Sequence, residues 1–120
     1  MIDFIEHLVF EKETAGLKRR FPAIDSALES FRMICQVHFN PDEPRQVIAP
    51  GKLHRITQLD LYSIWKFELP VPGLRSNQFP RIWFAVRGSQ VAFLCIRTHI
   101  DNYDTNEIDR IARELVTDIF

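Results

Sequence analysis

Basic, aromatic and titratable side chains recur along three segments in the second half of the chain, where they alternate with apolar residues. They are Tyr62, Lys66, Glu68, Arg81, Trp83, Arg87, Phe93, Cys95, Arg97 and His99. Because successive side chains of a strand point to opposite faces of a sheet, these residues are predicted to share one face if the segments are neighbouring strands. Arginine matches phosphate oxygens bidentately, lysine adds a point charge, and aromatic rings stack on unpaired bases. The pattern predicts a polyanion-binding face, with RNA as the favoured ligand.

A histidine stands where the last of these segments ends. His99 precedes the turn of residues 101–103, where side chains are presented rather than buried, and an imidazole there can move protons near neutral pH. His7, His38 and His54 lack comparable neighbours in the sequence and are interpreted as surface or core-edge residues. No metal-ligand spacing includes them, so no metal site is predicted.

The same side chains have an alternative explanation that needs no ligand. Lys66, Glu68 and their neighbours would then form cross-strand ion pairs on a solvated sheet face, each worth about a few tenths of a kcal/mol. The formal net charge of −1 argues against strong non-specific nucleic-acid binding, because such binding requires the neutralisation of many phosphates. An anion site in this chain must therefore be local.

Hydrophobic periodicity predicts the elements that position these residues. The predicted order is a strand at 2–10, helices at Thr14–Arg20 and Pro22–Phe39, a proline-rich loop at Asn40–Lys52, strands at Leu53–Thr57, Leu61–Leu69, Arg81–Arg87 and Val91–His99, and a helix that begins at Asp104. The fold class is α+β: an N-terminal strand and a helical hairpin precede a four-stranded antiparallel meander sheet and a C-terminal helix.

The other face of the predicted meander is apolar and is expected to form the core. It carries Trp65, Phe67, Leu69, Ile82, Phe84, Val86, Ala92, Leu94 and Ile96. The C-terminal helix has a continuous apolar stripe, which we expect to pack on the sheet. Asp104 and Glu107 resemble a capping box at its start.

The length of 120 residues, with 46% hydrophobic and 26% charged residues, predicts a single domain over residues 1–120. Cys35 and Cys95 lie in apolar runs and are interpreted as buried thiols rather than a disulfide. The N-terminus lacks the basic start of a secretory signal, and no apolar run approaches the roughly 20 residues of a membrane span. A cytoplasmic location is expected by elimination, and no cofactor is predicted.

Three short motifs and the order of elements resemble the RelE/ParE-type toxin superfamily, whose RelE branch contains ribosome-dependent mRNA endonucleases. The matching segments are Trp65-Lys66-Phe67-Glu68-Leu69 followed by residues 70–74, then Pro80-Arg81-Ile82-Trp83-Phe84, and then Ile96-Arg97-Thr98-His99 with Asp101-Asn102-Tyr103. The resemblance spans nearly the whole chain.

The resemblance implies roles for individual residues. Lys66 and Arg81 would bind the scissile phosphate and stabilise the charge that develops on it. His99 would transfer a proton, and Tyr103 would stack on a base or orient the phosphate. Further RNA contacts are expected from Arg97, Arg87 and Trp83.

One position departs from the family pattern. RelE-branch enzymes commonly place a second basic residue two positions after the strand lysine, and this chain has Glu68 there. That departure bears on catalysis rather than on fold.

The implied function is that of a type II toxin: a metal-independent mRNA endonuclease that uses 2′-hydroxyl attack on the ribosome. Its implied partners are a cognate antitoxin protein and ribosome-bound mRNA. The alternative is a ParE-like or otherwise non-catalytic binding module of the same fold, which acts on a protein partner.

Overall fold

The computed structural model describes the backbone of all 120 residues and every side chain except that of His99. The strands are β1 (Asp3–Glu6), β2 (Leu53–Gln58), β3 (Ser63–Glu68), β4 (Arg81–Arg87) and β5 (Gln90–Arg97), and the α-helices are α1 (Leu8–Arg20), α2 (Ile24–His38) and α3 (Thr105–Leu115). Short 3-10 helices cover Ser76–Gln78, His99–Asp101 and Val116–Asp118. The fold is α+β, and none of its described helices has the length and apolar character needed to cross a bilayer.

The sheet is mixed and has the strand order β1-β5-β4-β3-β2. β2 to β5 form an antiparallel meander, as predicted. The sheet has five strands instead of four, because β1 pairs in parallel with β5, with Phe4 opposite Val91 and Glu6 opposite Phe93. Periodicity identifies a strand but not its partner, so this part of the prediction was wrong.

β1 is shorter and α1 is longer than the sequence pattern predicts. The alternation of residues 2–10 suggests one strand, yet β1 ends at Glu6 and α1 begins at Leu8. His7 causes the change, because its Nδ1 accepts a hydrogen bond from the Val9 N–H at 3.0 Å and so caps the helix. Histidine is not among the usual capping residues, which is why the helix start was missed.

The main core lies between the sheet and the pair of helices α1 and α2. Phe31 of α2 stacks on Phe67 with 4.6 Å between ring centroids and meets Phe84 edge-on at 5.3 Å. Phe10 of α1 packs on Phe93 at 5.3 Å. Burial of each such side chain contributes about 1.5–3 kcal/mol. The predicted core face of β3 and β4 is thereby confirmed.

The opposite face is partly covered by α3, so much of it is not a solvated polar surface. A second apolar cluster forms there, made of Ile64, Trp83, Ala85, Ala92, Leu94, Cys95, Ile108, Ala112 and Val116. α3 begins where predicted, since the Asp104 side chain accepts the Asn106 N–H at 2.9 Å. The apolar stripe of α3 packs on the sheet, as expected.

A β-bulge in β5 changes which side chains share a face. Trp83 pairs with Cys95 but Phe84 pairs with Phe93, so Leu94 is the extra residue. Phe93 therefore joins the main core, while Leu94 and Ala92 face α3. The predicted faces of these three residues were wrong, because simple alternation cannot reveal a bulge. Cys95 and Arg97 lie beyond the bulge, on the predicted face.

His7 also links the two ends of the chain. Its Nδ1 accepts a hydrogen bond from the Val9 N–H, so Nε2 carries the ring proton and donates to Asp118 Oδ2 at 2.7 Å. The imidazole is 12% exposed and the carboxylate 63% exposed. The helix cap is therefore expected to contribute more than the hydrogen bond to Asp118, because that carboxylate is well solvated.

We predict that His7→Ala lowers the free energy of unfolding by about 1 kcal/mol, the usual value of an N-cap. His7→Asn should recover most of the loss, because asparagine also caps. Asp118→Ala should lower it by less than about 0.5 kcal/mol. Urea unfolding measures all three, and equal losses for His7→Ala and Asp118→Ala would rule out the cap as the main contribution.

The two cysteines are predicted to be unreactive in the native state. Cys35 and Cys95 are both free and buried, and burial raises the pKa of each thiol to about 12. A thiol-exchange reagent at pH 8 should therefore modify neither residue until denaturant is added, and both should react then. Modification of the folded protein would show that one of these sites opens.

Candidate functional site

Strand register brings three cations together on the face of the sheet that α3 partly covers. Lys66 on β3 pairs with Trp83 on β4. In the next row of that face, Glu68 pairs with Arg81, and Arg81 pairs with Arg97 on β5. Directly paired residues project from the same face. Lys66, Arg81 and Arg97, called here the cation cluster, therefore emerge on one side of the sheet, as predicted.

Lys66 is held by a carboxylate of α3. Its Nζ lies 3.3 Å from Asp109 Oδ2, and Trp83 Nε1 donates to Asp109 Oδ1 at 2.8 Å. The Lys66 and Asp109 side chains are 16% and 13% exposed. The ion pair is thus largely screened from water, and the ammonium group is directed towards α3.

Arg97 is also paired with a carboxylate. Its guanidinium contacts the Glu13 carboxylate of α1 and donates to the Ile96 carbonyl at 3.1 Å. Glu13 accepts the Ile96 N–H as well, at 3.1 Å. Burial lowers the pKa of Arg97, and Glu107 and Tyr103 oppose that shift. Arg97 is therefore drawn towards the edge of β5 where α1 passes.

Arg81 differs from the other two cations. It forms no ion pair within 4 Å with any carboxylate whose position the structure describes, and its contact is the Tyr103 hydroxyl. Burial raises the pKa of Tyr103 above its ordinary value, while the charge of Arg81 and a hydrogen bond with it act in the opposite direction. Tyr103 is therefore neutral at physiological pH. Its ring meets Trp83 edge-on at 5.7 Å, which fixes it beside Arg81.

Two predicted RNA-binding residues do not join the cation cluster. Trp83 is fully buried beneath α3, so its ring has no free face for a base. Arg87 lies at the other end of β4 from Arg81, about 20 Å away at the usual rise per residue, and its guanidinium packs over Phe120 at 5.7 Å. Trp83 instead helps to position Asp109 and Tyr103.

The predicted role of His99 lies outside the part of the chain whose side chains the structure describes. Its backbone opens the 3-10 helix His99–Asp101, directly after β5.

Two residues that lie near the cation cluster were not among the predicted site residues: His54 of β2, and Lys52, which directly precedes β2. His54 pairs with Lys66 across β2 and β3, so it lies on the face of the cation cluster, and it is exposed. Lys52 Nζ lies 3.6 Å from Glu68 Oε2. His54 could have been found by pairing the predicted strand at Leu53–Thr57 with the strand of Lys66. That pairing places His54 opposite Lys66.

The charge around the cluster is mixed. Glu13, Glu68, Glu107 and Asp109 all lie against its cations or in its rows. Among the described side chains no group of three His, Cys, Asp or Glu residues is arranged to hold a metal ion. The site can hold an anion through Arg81 and Arg97, and its carboxylates can accept a proton.

Comparison of the chain with models of protein families, with curated proteins and with solved structures found no match. The resemblance carried by the sequence motifs therefore stays a prediction.

We predict that Asp109→Ala lowers the free energy of unfolding by about 1–3 kcal/mol, less than for a fully buried pair, because Lys66 retains some contact with water. Asp109→Asn should lose less, since the amide oxygen can still accept the Trp83 N–H. Urea unfolding followed by tryptophan fluorescence measures both. Equal losses would show that the Trp83 hydrogen bond contributes nothing.

Proposed function

We propose that this chain is a toxin domain of RelE/ParE type that cleaves mRNA on the ribosome without a metal ion. The order of elements, the meander of β2 to β5 and the position of the motifs on β3, β4 and the end of β5 support the family assignment. The common face of the cation cluster supports the chemistry.

One observation carries the proposal: Arg81 and Arg97 are direct cross-strand partners, and Arg81 has no carboxylate partner among the described side chains. Like charges opposite each other on neighbouring strands are destabilising. A phosphate between the two guanidinium groups converts that repulsion into attraction and offers each a bidentate partner. The pair is thus suited to an anionic ligand.

The reaction is attack of an RNA 2′-oxygen on the adjacent phosphorus, with cleavage of the bond from phosphorus to the 5′-oxygen. It yields a 2′,3′-cyclic phosphate and a 5′-hydroxyl. Arg81 and Arg97 bind the non-bridging oxygens, and Lys66 adds positive charge, so the cation cluster stabilises the charge of the transition state. Tyr103 orients Arg81.

Two proton transfers complete the reaction. Glu68 lies in the same row as Arg81 and Arg97 and accepts the proton of the attacking 2′-hydroxyl. His99 donates a proton to the leaving 5′-oxygen, which is the role that the family resemblance implies for it. Glu68 thus becomes a participant in the chemistry rather than a mere departure from the family pattern.

The pairs of Lys66 with Asp109 and Arg97 with Glu13 belong to the free protein in this proposal. An incoming phosphate competes with Glu13 for Arg97, whose side chain is 27% exposed. A cognate antitoxin protein in the cytoplasm would keep the toxin inactive.

A second candidate is a ParE-like or other non-catalytic module of the same fold that binds a protein. The observation that favours it is the local balance of charge, since two of the three cations are already paired with Asp109 and Glu13. A site of mixed charge suits a protein surface at least as well as a polyanion.

We predict that expression of the wild-type chain arrests growth and produces mRNA cleavage, and that Arg81→Ala with His99→Ala abolishes both. Loss of one phosphate-binding group should lower the cleavage rate about 10²–10³-fold, and loss of the proton donor about 10²–10⁴-fold. Mapping of mRNA 5′ ends in cells after induction measures cleavage. Arg87→Ala is the matched control on the same strand and should cleave like the wild type.

Unaltered cleavage in the folded double variant would remove the cation cluster from the chemistry. Growth arrest without any mRNA cleavage would instead favour the protein-binding module.

A further inference from the structure

A concave site lies on the other face of the sheet, beside the edge strand β2. Its volume is about 470 Å³, within the range of small-ligand sites. It is bounded by the C-terminal end of α2 at His38, by Trp65 of β3, and by the irregular loop that carries Arg45 and Gln46. We refer to it as the Trp65 pocket.

The side chains of this pocket offer stacking and hydrogen bonding together. Trp65 is half-buried, and its indole N–H donates to Ser63 Oγ at 2.8 Å. Its ring contacts Phe39 and Arg55, so a base can stack only on the part of the ring that lines the pocket. His38 Nδ1 accepts the Val47 N–H at 3.3 Å, which leaves the proton of the neutral ring on Nε2 as a donor. Burial lowers the pKa of His38 and so favours that neutral form. Gln46 adds an amide with both donors and an acceptor.

The edge strand connects this pocket with the cation cluster. β2 is the outermost strand of the sheet, and its side chains alternate between the two faces. His54 pairs with Lys66 on the face of the cluster, whereas Arg55 pairs with Trp65 and lies over its ring at 5.8 Å. An extended ligand that crosses β2 can therefore contact both faces of the sheet over the width of one strand.

We propose that the Trp65 pocket binds one unpaired base of a single-stranded RNA that crosses β2 and whose phosphate lies at the cation cluster. This inference rests on the proposed function and adds a recognition site to it. An aromatic face, an amide and guanidinium groups are the combination that holds unpaired bases in single-stranded RNA.

The charge of the edge strand favours RNA over a protein segment as the occupant. Arg55 is exposed, and its guanidinium donates to Gln58 Oε1 at 3.3 Å without forming an ion pair with a side chain that the structure describes. Arg45 pairs with Glu43, but both side chains are at least 70% exposed, so a phosphate can replace that contact at little cost. The guanidinium groups of Arg45 and Arg55 thus lie beside the pocket without a buried carboxylate partner, which suits a phosphate backbone better than an apolar peptide.

The test uses two single-stranded hexanucleotides with 2′-O-methyl groups, which cannot be cleaved: one carries bases, and the other has the same backbone without bases. Fluorescence anisotropy measures the Kd of each. Trp65→Leu should weaken binding of the base-carrying probe about tenfold and leave the abasic probe unchanged. Arg45→Ala should weaken both probes equally.

Gln46→Ala is the second variant, because Gln46 is exposed on an irregular loop and its truncation removes no core side chain. It should weaken the base-carrying probe alone, and Arg19→Ala on the exposed side of α1 should change neither probe. In NMR spectra the Trp65 indole signal should shift with the base-carrying probe. If Trp65→Leu and Gln46→Ala change the Kd of both probes equally, or change neither, the proposal that this pocket binds a base is wrong.

The outcome for the pocket is separable from that for the proposed function. Normal mRNA cleavage by Trp65→Leu and Gln46→Ala, together with unchanged binding of both probes, overturns the pocket and leaves the endonuclease standing. Base-dependent binding by a chain that cleaves no mRNA supports the pocket and overturns the endonuclease. Binding of an acidic protein segment that neither probe displaces would also contradict the proposal that the Trp65 pocket binds a base.

Discussion

Asp109 is the group on which the arrangement of the second face depends. It reaches from α3 to the sheet and accepts hydrogen bonds from both Lys66 and Trp83. A carboxylate that is 13% exposed requires such partners, because an unpaired charge at that depth is costly. The contact fixes the position of α3 on β3 and β4. The row of Glu68, Arg81 and Arg97 lies two residues further along the strands than the row of Lys66 and Trp83.

The cations of the cluster and their carboxylate neighbours nearly balance each other's charge. Each of two cations already has a carboxylate partner, and Arg81 is held by the Tyr103 hydroxyl instead. Two of the three charges are therefore balanced within the free protein, and in the proposed function an anion contacts Arg81 directly and replaces Glu13 at Arg97. The low net charge of the chain agrees with this, because affinity then comes from geometry and not from a general electrostatic field. The same balance is what makes a protein ligand the main competitor to RNA.

The edge strand β2 lies beside both the cation cluster and the Trp65 pocket. Its alternation sends His54 to the cation cluster and Arg55 to the Trp65 pocket. An edge strand has unpaired backbone groups and commonly carries basic residues that prevent strand addition. Here His54 lies on the face of the cation cluster, and Arg55 lies over the Trp65 ring. Protection of the edge and recognition of an extended polyanion are compatible roles, because both require exposed charge.

The sequence by itself determined the α+β class, the antiparallel meander and the common face of Lys66, Arg81 and Arg97, because these follow from alternation and from turn residues, which are local. It could not determine that β1 joins β5, that His7 caps α1, or that Leu94 forms a bulge, since each depends on contacts between residues far apart in the chain. The cover of α3 over Trp83 and the pairing of Lys66 with Asp109 and of Arg97 with Glu13 were likewise decided by tertiary structure. A pattern specifies which face a side chain takes, whereas only packing specifies what lies against it.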